Sequence, residues 1–530
     1  MINEFKESLR RRIETLLETL ESRRWLLLLL FTVLFFAGFC LIASRGVITN
    51  DELFTVYIGR LPAFRDVWAA LATGAEQTPP FFYILTRADF ALFGTANLAI
   101  RLPELLGSWV MCVCLFDFVS RRSSASYGFI AMLLPLMTSA FSFVAWARAY
   151  VLVLGFSALA LLCWQRATEN RRRTLALVGM AVSLAAAISC HYYAVLSLFP
   201  LGLGEVVRTI RRKRIDVGVW LVLVLSLSPL LLFLPLIHAA QKFAPHFWSK
   251  PYWTSMLYFY QHFLLPPAVL PLLAILLVVI TYAALRPTQA GTEARRVRSS
   301  LPSHEIAAAL GFLLVPVVGV VLAKTAVGAF APRYALSAVI GLSIIVAWGL
   351  YILLDGRRSV ALALGLLLCG FLVAKQVQTY RRAVEERSEQ ASTYAFLEAH
   401  AKGNAPIVIS DPVAFTMLTY KAPRDIEQRL LYLADPQLGI RYTGTDDIEQ
   451  GLVEMKRWAG LNVEPYHTFV SSGQQCYVLF LTSYYPYDYE WIIPALRAAH
   501  WRIKLLTWRD GKILFSASPG LTSSALSGGK

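Results

Sequence analysis

The chain has 530 residues, of which 57% are hydrophobic and 16% charged, with a mean hydropathy of +0.54. A soluble globular chain is about half apolar and about a quarter charged, so this balance excludes an ordinary soluble enzyme and makes the bilayer the solvent. The net charge of +16 does not point to nucleic acid, because the basic residues cluster between apolar runs, where topology signals lie.

A basic leader over 1–24 precedes an apolar run over 25–44, which is long enough to span and lacks a small-residue cleavage site, so it reads as an uncleaved anchor. Further spans are predicted over 99–119, 128–146, 149–165, 174–189, 193–207, 217–237, 263–285, 305–323, 334–354 and 359–375, about eleven in all. The pair over 174–207 is short, and one re-entrant segment there changes the count. Arg10, Arg11, Arg12, Arg23, Arg24, Arg121, Arg122, Arg171, Arg172, Arg173, Arg211, Arg212, Lys213, Arg214, Arg295, Arg296, Arg298, Arg357 and Arg358 all fall on one side of these spans. That side holds roughly 23 basic residues in about 75 residues of loop, against roughly 9 in about 100 on the other. The basic side is therefore cytoplasmic, and an odd number of spans puts 376–530 outside.

Beyond 375 the character changes. Residues 376–404 form a polar, helix-forming connector, and 405–519 alternate strand-like runs (405–410, 429–433, 475–481, 503–507) with helices near 446–459 and 489–500. This alternation predicts a soluble α/β domain with a mostly parallel sheet. The tail over 520–530 reads as disordered. Of seven cysteines only Cys476 lies in this domain, which excludes an internal disulfide, and no CxxC pair marks a metal site. The fold class is thus a polytopic α-helical membrane protein with a C-terminal soluble α/β domain.

The polar residues of interest lie in the outside loops. The loop over 44–98 opens with Thr49-Asn50-Asp51-Glu52-Leu53. Two adjacent acids at a membrane boundary are costly unless solvated or paired. Their plain reading is a helix start, with Asn50 or Asp51 as cap and Glu52 in the first turn. The loop continues Tyr57-Ile58-Gly59-Arg60, then Glu76-Gln77-Thr78-Pro79-Pro80-Phe81-Phe82-Tyr83, Leu92-Phe93-Gly94 and Arg101-Leu102-Pro103.

This arrangement resembles the GT-C fold glycosyltransferases that use lipid-linked sugars, in the branch of protein O-mannosyltransferases and lipid A aminoarabinose transferases. An acidic pair after the first helix, Pro-Pro-aromatic, Leu-Phe-Gly and Arg-Leu-Pro occur in that order. Ala147-Arg148-Ala149-Tyr150, His191-Tyr192-Tyr193 and Pro332-Arg333-Tyr334 resemble later segments of the same family. The likeness covers 25 to about 355 and says little about 376–530. One position departs: many relatives carry His or Lys before Pro-Pro, where this chain has Thr78.

The resemblance implies a catalytic domain over 25–375 and a polyprenyl-phosphate sugar as donor. It implies transfer to an acceptor hydroxyl of a glycan, lipid or protein, with inversion by attack opposite the phosphate. The outside face assigned by the basic loops is the periplasm in a bacterium, which the compact loops and short chain suggest, and the lumen of the endoplasmic reticulum in a eukaryote. Asp51, the first acid of the family pair, is the implied base, and Glu52 orients it or helps bind acceptor. Arg148, His191, Lys324 and Arg333 are the candidates for donor phosphate; the plain alternatives are snorkelling, a hydrogen-bonded interfacial histidine and interface anchoring. Tyr57, Arg60, Glu76, Thr78, Tyr83 and Tyr192 are candidates for contact with donor or acceptor, and Phe81, Phe82 and Tyr193 share the boundary and the reading as a platform for sugar or isoprenoid. Against that stand an aromatic belt for the rings and a loop-shaping ion pair for Arg60. His238, His246 and His262 lack metal-ligand spacing. Some GT-C enzymes use a divalent cation; a single acidic pair argues for a metal-independent one. In the C-terminal domain Asp411 reads as a helix start, and Tyr484, Tyr485, Tyr487 and Tyr489 as glycan contacts or packing. The competing reading from another class is a flippase for lipid-linked sugars, which predicts inverted repeats and broken helices with charges at the midplane. No repeat is visible.

Overall fold

The computed structural model describes residues 2–264, 281, 301–482 and 490–520. Most of the predicted span over 263–285, the arginines 295, 296 and 298, the four tyrosines over 484–489 and the tail from 521 lie outside the described residues. The chain forms two compact units: Met1–Ser44, Thr78–Leu234 and Lys250–Arg381 make the first, and Arg45–Gln77, Pro235–Ser249 and Arg382–Lys530 the second.

The first unit is helical. Trp25–Arg45, Leu102–Ser120, Tyr150–Thr168, Arg173–Cys190, Tyr192–Arg212 and Arg358–His400 are long and apolar enough to cross a bilayer. Two further stretches are bent. Val217–Leu232 and Leu234–Gln241 meet at 63°, and Ser303–Leu313 and Val315–Val327 at 51°. Each second piece carries proline at its start (Pro235, Pro316), where the missing N–H and the ring break the ladder of the preceding turn. Two predicted spans are shorter than their apolar runs. Ala125–Met137 ends beyond Pro135 and passes into a 3-10 turn, Ser139–Phe143, while Pro332–Ala335 forms a 3-10 turn before Ala338–Leu353.

Helices Leu102–Ser120 and Tyr150–Thr168 touch through their backbones. A Cβ on Gly107 would stand 2.6 Å from Leu152 Cα, and one on Gly155 would stand 2.4 Å from the Gly107 carbonyl oxygen. Small residues permit such an approach and the dispersion contacts it brings. The arginine-rich end of this unit is tied by buried ion pairs. Arg122 Nε donates to both oxygens of fully buried Glu305 (3.1 and 3.0 Å), which also accepts from Gln165 Nε2 at 3.1 Å. Asp117 collects Arg166 at 2.8 Å, Arg121 at 3.3 Å and Arg24 at 3.5 Å. Several arginines read from sequence as topology signals therefore also join four helices.

The second unit is built on a six-stranded sheet. The strands are β1 (Ile407–Ile409), β2 (Leu430–Ala434), β3 (Val463–Pro465), β4 (Cys476–Leu481), β5 (Trp501–Arg509) and β6 (Lys512–Pro519), in the order β3-β2-β1-β4-β6-β5. The first four are parallel; β6 runs antiparallel to β4 and to β5, so the sheet is mixed. The expected strands at 405–410, 429–433, 475–481 and 503–507 are present. β3 and β6 were not expected. Asp510 and Gly511 both have positive φ (49° and 74°), the conformation of a two-residue hairpin turn, and Asp-Gly was the unused sequence signal for β6.

Segments from earlier in the chain complete this unit. Asn50 Oδ1 accepts from Thr416 Oγ1 at 2.7 Å, and the His246 carbonyl accepts from Thr445 Oγ1 at 2.7 Å. Burial raises several carboxyl pKa values here. Asp447 is pushed up to about 6 and Glu490 to about 7, and Glu449, which accepts from Tyr432 Oη (2.8 Å) and Trp491 Nε1 (2.9 Å), is also raised.

Candidate functional site

The first unit gathers three of the four predicted phosphate ligands. Helix Tyr150–Thr168 begins, and helix Arg173–Cys190 ends, on the side opposite the arginine-rich network. At that end His191 takes an extended backbone and closes its helix, and Tyr192–Ser197 continues as a 3-10 turn. Arg333 arrives from a third direction. Its approach begins at Gly328, whose φ of +83° turns the chain out of the π-helical turn Ala323–Val327. Ala329 then accepts a hydrogen bond from the Tyr193 hydroxyl, and Phe330 packs edge-on to the same ring at 6.0 Å.

The side chains interlock. Arg333 Nε donates to the Tyr150 hydroxyl at 3.0 Å, and its guanidinium carbon lies 5.5 Å from the ring centres of both Trp146 and Tyr150. The His191 ring stands 5.3 Å from Tyr150 and 4.9 Å from Tyr334, and Tyr334 stacks on Tyr193 at 4.8 Å. Offset and edge contacts of this kind contribute about 0.5–1.5 kcal/mol per pair beyond area burial, so the cluster is stiff.

His191 is not a cation here. Burial lowers its pKa first, and Arg148 and then Arg333 lower it further. Its Nδ1 accepts from the Tyr193 backbone N–H at 3.2 Å. The neutral ring therefore carries its proton on Nε2, where it is a hydrogen-bond donor. Two guanidiniums, one imidazole N–H and a wall of aromatic rings can hold an oxyanion in surroundings poor in water.

Lys324 is exposed, with its ammonium 5.1 Å from the Trp253 ring centre, as interface anchoring would have it. Tyr192 packs edge-on to Phe233 at 6.5 Å, and it is Tyr193 that joins the cluster. Thr78 is buried just before Pro79-Pro80, and Tyr83 is fully buried edge-on to Phe82 at 5.3 Å. Tyr193 was among the boundary rings that the sequence offered as a platform, whereas Tyr150, Tyr334 and Trp146 were not singled out as site residues. Tyr150 and Tyr334 lie within the segments that carried the family likeness.

The remaining candidates sit in the second unit. Helix Asn50–Gly59 starts at Thr49, where a capping box forms: Glu52 Oε2 accepts from the Thr49 backbone N–H at 2.9 Å and from its hydroxyl at 3.1 Å. The cap is thus Thr49 rather than Asn50 or Asp51. Glu52 is fully buried, whereas Asp51, in the same first turn, is half-buried. Tyr57 meets Tyr420 edge-on at 6.4 Å, and exposed Arg60 donates to the Tyr420 hydroxyl at 3.2 Å. Arg60 therefore shapes this unit through a tyrosine of its own C-terminal part. Glu76 is buried. Among the described residues no group of three or more His, Cys, Asp or Glu has a geometry that could hold a metal ion.

Comparison with known proteins places this geometry. The sequence profile described as dolichyl-phosphate-mannose-protein mannosyltransferase matches residues 77–238. ArnT from Cupriavidus metallidurans in the apo state superposes with a TM-score of 0.56 at 14% identity, covering 93% of this chain and 98% of ArnT. ArnT from the same organism bound to undecaprenyl phosphate gives 0.52 at 13% identity, covering 92% and 97%. No curated protein sequence matches the chain. The likeness extends over nearly the whole of both chains, and the fold is the GT-C fold of a membrane protein, with a small sheet in the C-terminal part.

Proposed function

We propose that this chain is an inverting glycosyltransferase that moves a sugar from a polyprenyl-phosphate donor to an acceptor hydroxyl on the periplasmic side of a bacterial inner membrane. The observation that carries the proposal is the cradle of Arg148, neutral His191 and Arg333. It lies at one end of the apolar helices, and Arg148 and His191 fall within the stretch matched by the mannosyltransferase profile. The crystallised complex of a fold relative with undecaprenyl phosphate supports a ligand of that class.

The charges suit the departing group. The donor phosphodiester carries one negative charge, and the polyprenyl phosphate that leaves carries about 1.5 to 2 at neutral pH. Two guanidiniums beside an uncharged imidazole match the leaving phosphate better than the intact diester, which is stabilisation that grows toward the transition state. Asp51 takes the acceptor proton as the oxygen attacks the anomeric carbon from the face opposite the phosphate, inverting that centre. Glu52 holds the start of Asp51's helix. The C-terminal α/β domain serves as a lid or acceptor-recognition module. The flippase alternative predicts charged residues at broken helices; among the described residues the two bent pairs break at Phe233 and Leu314, both apolar.

The test is release of free polyprenyl phosphate by the protein in nanodiscs with a panel of polyprenyl-phosphate sugars, comparing wild type with Asp51→Asn. Turnover lost in the variant supports both class and base. Turnover unchanged keeps the class and removes Asp51. No turnover with any donor, even with envelope extract as acceptor, removes the class and calls for a transport assay in liposomes.

A further inference from the structure

A long arginine side chain carries about 2 kcal/mol of rotamer entropy, so a guanidinium that must meet an oxyanion repeatedly in one pose needs support. Arg333 stands on a four-residue 3-10 turn beyond a glycine bend, a backbone that by itself fixes little of the side chain. What fixes it is Tyr150. The tyrosine hydroxyl accepts Arg333 Nε–H at 3.0 Å, and its ring, with that of Trp146, lies beneath the guanidinium at 5.5 Å. Tyr150 is itself immobile, being 6% exposed and packed against Phe143 (5.8 Å), Trp146 (5.8 Å), His191 (5.3 Å) and Tyr334 (6.1 Å).

The hydrogen bond also chooses which edge of the arginine is offered. A guanidinium grips an oxyanion by two parallel N–H groups, either along its side, using Nε and one Nη, or end-on, using both Nη groups. With Nε committed to Tyr150, the side grip through Nε is spent, and a two-point grip is left to the pair of Nη groups. We propose that Tyr150 is a positioning residue that holds Arg333 so that its terminal Nη edge, rather than its Nε edge, meets the donor phosphate. This rests on the reading of Arg333 as a phosphate ligand.

The experiment measures equilibrium binding of radiolabelled undecaprenyl phosphate to the full chain in nanodiscs, with the thermal unfolding midpoint as a control. Tyr150→Phe keeps the ring and its neighbours and removes only the acceptor. It is expected to weaken binding about tenfold, the typical effect of one hydrogen bond to a charged group, with an unchanged midpoint. In an Arg333→Met background the same substitution is expected to change nothing further, because a residue acting through another is silent once that other is gone. Wild-type affinity in Tyr150→Phe alongside weakened binding in Arg333→Met overturns the positioning role alone. So do losses that multiply in the double variant, which make Tyr150 an independent contact. Unchanged binding in Arg333→Met overturns the phosphate reading of Arg333 and the positioning role with it. If Tyr150→Phe lowers the midpoint, Trp146→Phe thins the second ring of the guanidinium's support and is judged by the same cycle.

Discussion

The proposed base Asp51 and the capping acid Glu52 are adjacent, and their duties can be separated by measurement. Glu52 Oε2 accepts two hydrogen bonds from Thr49, at 2.9 and 3.1 Å, and the side chain is fully buried. Glu52→Ala loses the capping box, about 0.5–2 kcal/mol. Glu52→Gln keeps an amide oxygen in place and is expected to hold both fold and turnover within a few-fold of wild type. Asp51 is half-buried and does not accept from Thr49 in that box, and Asp51→Asn keeps the side chain's shape and one acceptor oxygen, so the variant is expected to stay folded. Removing a general base costs roughly 10²–10⁴ in rate, so the same variant is expected to lose nearly all turnover. Release of polyprenyl phosphate and the thermal midpoint are followed together on all three proteins in nanodiscs. A Glu52→Gln protein that is fully folded yet as inactive as Asp51→Asn would refute the assignment and give the chemical role to Glu52.

His191, being neutral with its proton on Nε2, is expected to tolerate His191→Gln within a few-fold in undecaprenyl phosphate affinity. Wild-type binding between pH 5.5 and 8 is expected to follow only the ligand's own titration; a further loss centred near pH 6.5 would show that the ring binds as a cation. Arg122→Gln strands the fully buried Glu305 and is expected to cost about 3–5 kcal/mol, read as a lowered midpoint, while adding Glu305→Gln recovers much of it. In the second unit Asp447 (about 6) and Glu490 (about 7) hold protons in the folded state at pH values where the unfolded chain, with ordinary carboxyls near 4, has released them. Folding there binds protons, so stability is greatest near pH 4, falls by on the order of 2–3 kcal/mol per group as pH rises to about 7, and levels beyond. Hydrogen exchange of the β1 and β4 amides, corrected for intrinsic rate, is expected to speed up over that interval; protection that rises with pH would contradict the burial of these carboxyls.

What the sequence made legible, and what it hid, follows from the range of the interactions involved. Apolar runs report burial in lipid directly, so the helices were found wherever the run was unbroken; proline then divided or shortened the stretches near 125–137, 217–241, 303–327 and 332–353 in ways that run length alone does not register. The charged members of the cradle were legible too, because a cation beside an apolar run is costly and so conspicuous. Tyr150 and Tyr334 were not, because a tyrosine at a membrane boundary is ordinary. Tyr192 and Tyr193 both stood as candidate rings, and which of the two faces the cluster depends on the phase of a 3-10 turn: Tyr193 stacks on Tyr334, while Tyr192 packs on Phe233. Glu52 shows the opposite case. Its capping role was visible locally as Thr-x-x-Glu, a pattern complete within four residues, yet the family likeness drew the eye to the acid as a reagent. A local motif with a sufficient local purpose should set the expectation for each residue it consumes, leaving the functional reading to the acid that the motif does not use, which here is Asp51.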